Sequence, residues 1–345
     1  MTLKQGKNRI VMIFKDKISN IIRNLEDISK PDYPTYESNY YVDFIELLAM
    51  FSGNDGISSG DILDRFFGEG ESYISEELSS EEHNEITVSE KNDNNESFID
   101  GLFRLIAERI AQFGDCYPFK IENEYNIVIK NDLSNCQKLY LFLLFSSSLD
   151  IFQNFNSQLT TDFESLSYFV LKNFLPNNAS IKPFGKNSVY KGTAIDKIKS
   201  LARDIGLQIN ESEVNSIGPK NVQERGLDLV GWLPFSDNCQ NKIVILCQCA
   251  CGKDYSHKQA DTRMFENYYV FYKISPLHAL FIPYSLINPK EGRFYNSDRI
   301  FNTGCLIFER LRILSLTKDP DGLLSVLNSK ELIEECIKIH NSWIA

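Results

Sequence analysis

The sequence predicts a mixed α/β protein: a mixed central sheet flanked by helices in the C-terminal half, preceded by a mainly helical N-terminal domain. Apolar residues recur at helical spacing through much of the first half. The second half holds two short apolar runs of strand character, at residues 227–233 and 242–251, with helix-patterned segments on either side. A helix, strand, strand, helix, strand order buries its apolar faces as stacked layers of sheet and helix.

Residues 1–30 read as helical, with Ile10, Phe14, Ile18, Ile22 and Leu25 on one stripe, and Pro31 and Pro34 ending the element. Residues 41–51 (YVDFIELLAMF) form a second amphipathic helix, GNDG at 53–56 is a turn, and Ser58 and Ser59 before Asp61 start a third helix. This helix, turn and helix resembles a helix-turn-helix, for which the alternating segment 118–130 could serve as a wing. A helical domain that simply packs its own core fits the same pattern. Residues 69–97 are rich in Glu, Ser, Asp and Asn and poor in aromatics, so they are expected to be a mobile acidic loop.

The second half is expected to open with a helix capped by Thr161 or Asp162 and ending before Pro176. A Gly/Lys-containing loop follows (KPFGKNSVYKG, 182–192), then a helix at 193–206, the two strands, a helix over 256–271, a short strand at 280–283, a further strand within 299–308, and closing helices over 323–344. The resulting division is 1–155, a regulatory or recruitment domain, and 156–345, the sheet domain.

A hydrophobic content of 43% with 24% charged residues belongs to a soluble globular chain. No apolar run approaches the roughly 18 to 20 residues that span a bilayer, and the basic N-terminus lacks the apolar core of a signal peptide. No membrane role and a cytoplasmic setting are expected. Eight cysteines are expected to be reduced thiols, because a chain of this size buries a core without disulfides.

The net charge of -11 is unevenly placed. Residues 1–155 hold 14 Lys and Arg against 27 Asp and Glu, whereas residues 156–345 hold 22 against 20. Phosphate binding answers to the local field, so the second half is compatible with nucleic acid. The acidic first half suits a protein partner better.

Two polar residues interrupt the apolar strands. Asp228 lies in GLDLVGW, directly after Gly226-Leu227, and Gln248 follows the run Ile243-Val244-Ile245-Leu246. A buried carboxylate is costly unless paired or metal-bound. A Gln carbonyl oxygen is a hard donor suited to Mg²⁺ or Mn²⁺, although internal hydrogen bonding would also account for it. Strand alternation sets Gln248 with Leu246 and Ala250, and turns Cys247, Cys249 and Cys251 to the other face. Alternate residues stand roughly 6 to 7 Å apart along a strand, too far for easy sharing of one zinc ion, so these cysteines are expected to pack in the core.

An acid on one strand and an acid or glutamine on the next resembles the PD-(D/E)XK nuclease superfamily, over residues 160–315. The resemblance implies a restriction-endonuclease-like fold and metal-dependent hydrolysis of phosphodiesters, of DNA first and RNA as the alternative. Asp228 and Gln248 would be metal ligands, and Glu164 (DFESLSYF) would be a further ligand from a preceding helix. The family's lysine, two residues after the second position, is Ala250 here. Lys258, in the following helix, or Lys253, at the strand's end, would replace it, with Lys258 favoured. Mg²⁺ or Mn²⁺ is the implied cofactor, and prokaryotic restriction or phage defence the implied context. A homodimer is consistent with the type. If neither lysine reaches the site, the fold would serve as an inactive nucleic-acid-binding or scaffolding subunit.

Lys182, Lys186, Lys191 and Lys199, with Lys197, Arg203 and the intervening Phe184 and Tyr190, form a basic stretch able to track a phosphate backbone. Arg293, Arg299, Arg310 and Arg312 are secondary candidates, and Trp232 and Tyr255 are expected to pack in the core. His257 and His278 have no metal-binding spacing. No GxSxG, GxGxxG or GxxxxGK[ST] pattern is present.

Overall fold

A computed structural model describes residues 14, 16–32, 38–68, 88–123, 125–185, 187–218, 226–235, 237, 239–288 and 304–342. The chain divides into two compact units: Met1–Asn156 with Leu286–Tyr295 and Lys330–Ala345, and Ser157–Ser285 with Asn296–Ser329. The boundary falls beside the expected one at 155. The last residues, by contrast, belong to the first unit and not to the sheet domain.

In the first unit, helix α1 (16–26) precedes α2 (Ser38–Phe51), β1 (Ile57–Ser58), α3 (Ser59–Phe67), α4 (Val88–Phe113), β2 (Phe119–Glu122), β3 (Asn126–Ile129) and α5 (Asn135–Ser147). The helix Lys330–Ser342 packs with them, against α2 and α5. Ser58 starts α3 through a reciprocal capping box with Asp61. The alternation at 118–130 does form an antiparallel hairpin, Phe119 opposite Ile129, and β1 adds to its β3 side.

Two expectations fail here. Residues 88–97 are not a loop but the first turns of α4, which drives Phe98, Ile99, Leu102, Leu105 and Ile106 into the core. Apolar burial further along this helix overrides the polar composition of its start; residues 69–87 lie outside the described residues. The cysteines are also not all free, since Cys116 and Cys136 form a disulfide across the ends of the hairpin.

Helix α2 is buried nearly all round, including Asp43 and Glu46. Arg109 of α4, fully buried, explains how these acids are tolerated. One guanidinium nitrogen lies 2.7 Å from both Asp43 Oδ1 and Glu46 Oε1, and the other donates to the Asn39 carbonyl at 2.9 Å. Tyr117 and Tyr140 donate their hydroxyls to Glu46, and Ser147 donates to Asp43. Burial lowers the Arg109 pKa, but Glu46, Tyr140, Asp43 and Tyr117 together outweigh it and leave it well above its ordinary value.

The second unit opens with α6 (Asn156–Phe174), which starts earlier than Thr161 or Asp162. Asp162 is no cap: it is buried inside the helix, accepting the Ser329 amide and hydroxyl at 2.6 Å each. Then come β4 (Ser180–Pro183), α7 (Ala194–Ile205), β5 (Gln208–Ile209), α8 (Glu211–Asn215), β6 (Leu229–Trp232) and β7 (Val244–Cys249). Thr193 caps α7 at its start and Gly206, at φ 82°, closes it in the left-handed conformation.

Past β7 the expected α-helix is instead a 3-10 helix, Tyr255–Met264, followed by the short α9 (Phe265–Tyr268). This segment has only Tyr255, Gln259 and Thr262 to bury, too narrow an apolar stripe to hold a longer α-helix against the sheet. Strands β8 (Tyr269–Val270), β9 (Leu277–Phe281) and β10 (Leu306–Phe308), then α10 (Arg310–Ser315) and α11 (Pro320–Val326), complete the unit.

The five-stranded sheet has the order β10-β9-β7-β6-β4 and is mixed. β7 pairs antiparallel with β6 and parallel with β9, as its unbroken apolar run led us to expect of a central strand. One face of the sheet packs Val230, Trp232, Val244 and Leu246 against Ile198, Leu201 and Ile205 of α7 and Phe265 of α9.

Replacing Arg109 with Met would leave two buried carboxylates without a counter-charge, a change that typically costs about 3–5 kcal/mol. We expect a corresponding loss of the first unit's stability in urea denaturation followed by circular dichroism, with the Asp43→Asn/Glu46→Gln/Arg109→Met triple variant recovering part of it.

Candidate active site

The site sits where β6 begins and β7 ends. Leu229 stands opposite Cys247 in the antiparallel pair, so Asp228 and Gln248 are the next residues outward on the two strands. Asp228 is not in regular ladder geometry. Its amide donates to the Cys247 carbonyl at 2.9 Å, and its carbonyl accepts the Phe184 and Gly185 amides at 2.7 and 3.1 Å. Its side chain turns into the sheet plane, where Oδ2 accepts the Cys249 amide at 2.7 Å. Asp228 is half-buried. Gly185 packs so closely that a Cβ there would lie 2.5 Å from Asp228 Oδ1.

Gln248 is 7% exposed. Its Nε2 donates to Oδ2 of Asp261, on the 3-10 helix, at 3.1 Å. Its Oε1 is buried and accepts no hydrogen bond among the described residues. Gly226 makes room for this pair: at φ +83°, a Cβ on it would meet Asp261 Cβ at 2.7 Å and Gln248 Nε2 at 3.2 Å. The glycine ahead of Asp228 is thus needed both for its backbone conformation and for close approach.

Glu164 is buried on α6, and the Asn187 amide approaches its Oε2 at 3.4 Å. Burial pushes the Cys249 thiol well above its ordinary range; the nearby Asp228 and Glu164 carboxylates add to that push. Asp228 thus lies beside Cys249, while Gln248 joins Asp261 and Gly226. The two groups meet along the backbone of residues 248 and 249.

The lysines are placed differently. Ala250 is buried, Lys253 is exposed at the strand's end, and Lys258 Nζ lies 3.8 Å from Asp254 Oδ1. Asp261 is the functional candidate that the sequence reading missed. Its only signal was its place three residues after Lys258, within the segment expected to pass over the sheet.

Of the basic stretch, Lys182 is half-buried on edge strand β4, Lys191 is exposed, and Lys199 is 3.3 Å from Glu211. Lys186, Arg293 and Arg299 lie outside the described residues. Phe184 and Tyr190 are core residues, with the Tyr190 hydroxyl donating to Asp204 at 2.8 Å, and so offer no stacking platform. Arg310 is fully buried and donates to the Pro283 carbonyl; a phosphate contact from it is ruled out in this conformation. Arg312 donates to the Ile307 carbonyl. Trp232 and Tyr255 are core residues as expected, and Cys247 and Cys251 are buried in the sheet domain.

His278 lies on β9, opposite Leu246 of β7. Thr262 Oγ1 lies 2.9 Å from its Nδ1 and Glu266 Oε1 2.8 Å from its Nε2. A neutral ring satisfies both contacts by accepting from Thr262 and donating to Glu266. Burial lowers its pKa, with Glu266 opposing that shift and Arg263 adding to it.

The donors suit a hard divalent cation in chemistry: carboxylates, and a buried amide oxygen without a partner. Among the described residues no three His, Cys, Asp or Glu side chains are grouped to hold a metal ion. That is compatible with Mg²⁺, which takes one or two protein carboxylates and fills its shell with water and phosphate oxygens. No family model matches the chain, and neither a curated protein nor a solved structure matches it.

Two outcomes follow. Gly226→Ala forces a Cβ into Asp261 and a left-handed φ on alanine, so it should destabilise the second unit by about 1–3 kcal/mol in urea titration. For His278, whose pKa is lower folded than unfolded, the unfolded chain binds the extra proton. Stability should therefore decline as pH falls below about 6.5, the unperturbed His value, and His278→Gln should flatten that decline in melting temperatures measured between pH 8 and pH 5.

Proposed function

We propose that the second unit is a metal-dependent nuclease domain of the PD-(D/E)XK type, hydrolysing phosphodiester bonds of DNA. The observation that carries this reading is the placement of Asp228 just before β6 and Gln248 on β7, next beyond the Leu229–Cys247 pair, with Gln248 Oε1 buried and unpartnered among the described residues. A mixed sheet flanked by helices, with Glu164 presented from the preceding helix, supports it.

In this reading Asp228, Gln248 and Glu164 would hold Mg²⁺ or Mn²⁺. When bound, the metal polarises the phosphoryl oxygen and makes the attacking water more acidic. Asp228 has one oxygen anchored by the Cys249 amide, which fixes the carboxylate's direction without adding a charge. Gln248 contributes an oxygen but no charge, so cation affinity is lower than for a pair of acids. Lys258 would have to leave Asp254 to orient the water or stabilise developing charge; Lys253 is the other candidate. Lys182, Lys191 and Lys199 would contact the DNA backbone, the last after releasing Glu211.

The first unit's hairpin beside its helix-turn-helix supports a winged-helix-like recruitment domain, and its acidity favours a protein partner over bare DNA. A cytoplasmic setting and a role in restriction or phage defence belong to the same proposal; there Cys116 and Cys136 would be reducible. Among the described residues no helix is long and apolar enough to cross a membrane.

A second reading, an inactive nucleic-acid-binding or scaffolding subunit, is favoured by one observation: Ala250 fills the lysine position, and Lys258 lies beside Asp254. One experiment separates the two. Purified chain is incubated with supercoiled plasmid, linear DNA or RNA in Mg²⁺, Mn²⁺ or EDTA. The nuclease reading expects metal-dependent cutting, lost in Asp228→Ala. Binding without cutting under every condition, unchanged in the variant, would support the subunit instead.

A further inference from the structure

We infer that Asp261 is the positioning residue of this site: through the Gln248 amide it presents Oε1 to a divalent cation and supplies the negative charge that Gln248 lacks. This rests on the metal-site reading above. The two ends of a glutamine amide are alike in size, and its partners alone decide which end faces which way. An ionised carboxylate only accepts. The bond from Nε2 to Asp261 Oδ2, at 3.1 Å, therefore commits the NH₂ group to Asp261 and turns Oε1 away from it.

Oε1 is then left buried without a donor among the described residues. Burying an unsatisfied acceptor opposes folding, so a fold that forces this arrangement gains by having the oxygen filled by a cation or a water. Gly226 shows that the chain is built to admit Asp261. Only a residue without Cβ lets the carboxylate approach there, and its φ of +83° suits glycine. The 3-10 helix fixes the other side, because Gln259 and Thr262 on either flank of the acid are anchored in the interior.

The charge argument completes the inference. Glutamine in an acid's place removes one negative charge from the ligand set. Asp261, one hydrogen bond away, returns that charge to the outer shell of the same oxygen donor. Such outer partners orient a ligand and raise its basicity.

The test is Mn²⁺ binding, read by electron paramagnetic resonance on the full chain without nucleic acid, with near-UV circular dichroism checking the fold of every variant. Wild type should bind Mn²⁺, Asp228→Ala should lose it, and Asp261→Asn should weaken it about tenfold or more. In a Gln248→Glu background, where the ligand carries its own charge, Asp261→Asn should leave the affinity unchanged, a loss of coupling that a merely structural acid would not show. If folded Asp261→Asn binds Mn²⁺ as wild type does while Asp228→Ala does not, the inference is overturned and the metal site stands. If Asp261→Asn does not fold, comparison of Asp261→Asn/Gln248→Glu with Gln248→Glu decides: equal affinity supports the charge role, and an affinity about tenfold lower in the double variant overturns it. Absence of Mn²⁺ binding in wild type overturns the metal site and the inference together.

Discussion

The second unit depends on how β7 is paired. This strand bonds β6 antiparallel on one side and β9 parallel on the other, so its position is fixed from both edges. Its apolar residues occupy both faces of the sheet, and burial on both sides is what makes a central strand read as an unbroken hydrophobic run. The ladder to β6 stops at Leu229 opposite Cys247. Beyond that point the backbone of Cys249 needs a new acceptor, and the Asp228 carboxylate takes the role. The candidate site is thus a consequence of where a sheet ladder ends, with side chains taking over bonds that the backbone gives up.

The first unit solves a different problem with the same chemistry. Helix α2 carries two acids on a nearly enveloped surface, and a single guanidinium, two tyrosines and a serine satisfy them. The planar fork of arginine suits this better than a lysine would, because its donors reach α2 in several directions at once. Such a network favours one arrangement of α2, α4 and α5, since any slip of a helix by a turn would strand a charge in the interior. Both units therefore use buried polar groups as fixed points, one within a helical core and one at a strand end.

What the sequence disclosed was what local pattern controls. The central strand, the capped helix from Thr193 to Gly206 and the hairpin at 118–130 are all written in spacing and turn chemistry. Asp228 and Gln248 stood out because polar groups in apolar strands demand partners. The partners themselves were not legible. Asp261 looks like any surface acid of a polar segment, and its contact with Gln248 spans 13 positions. The start of α4 was hidden because its polar first turns resemble a loop until the apolar face from Phe98 onward is seen to hold them. Asp162 looked like a helix cap since acids commonly are, and only the return of the chain at Ser329 reveals it as an interior anchor. Lysine placement lay furthest out of reach, since a flexible four-carbon stem leaves the charged end free of its backbone position.

The bridge between Cys116 and Cys136 encloses the whole β2–β3 hairpin, its ends separated by 20 in sequence. An unfolded chain that keeps the bond is a lariat with a closed ring, and ring closure removes roughly 3 kcal/mol worth of conformational freedom in the chain-entropy account. The same folded first unit then has two different denatured partners, one open and one ringed. Its resilience is thereby tied to the thiol–disulfide poise of its surroundings, without any change in the native architecture.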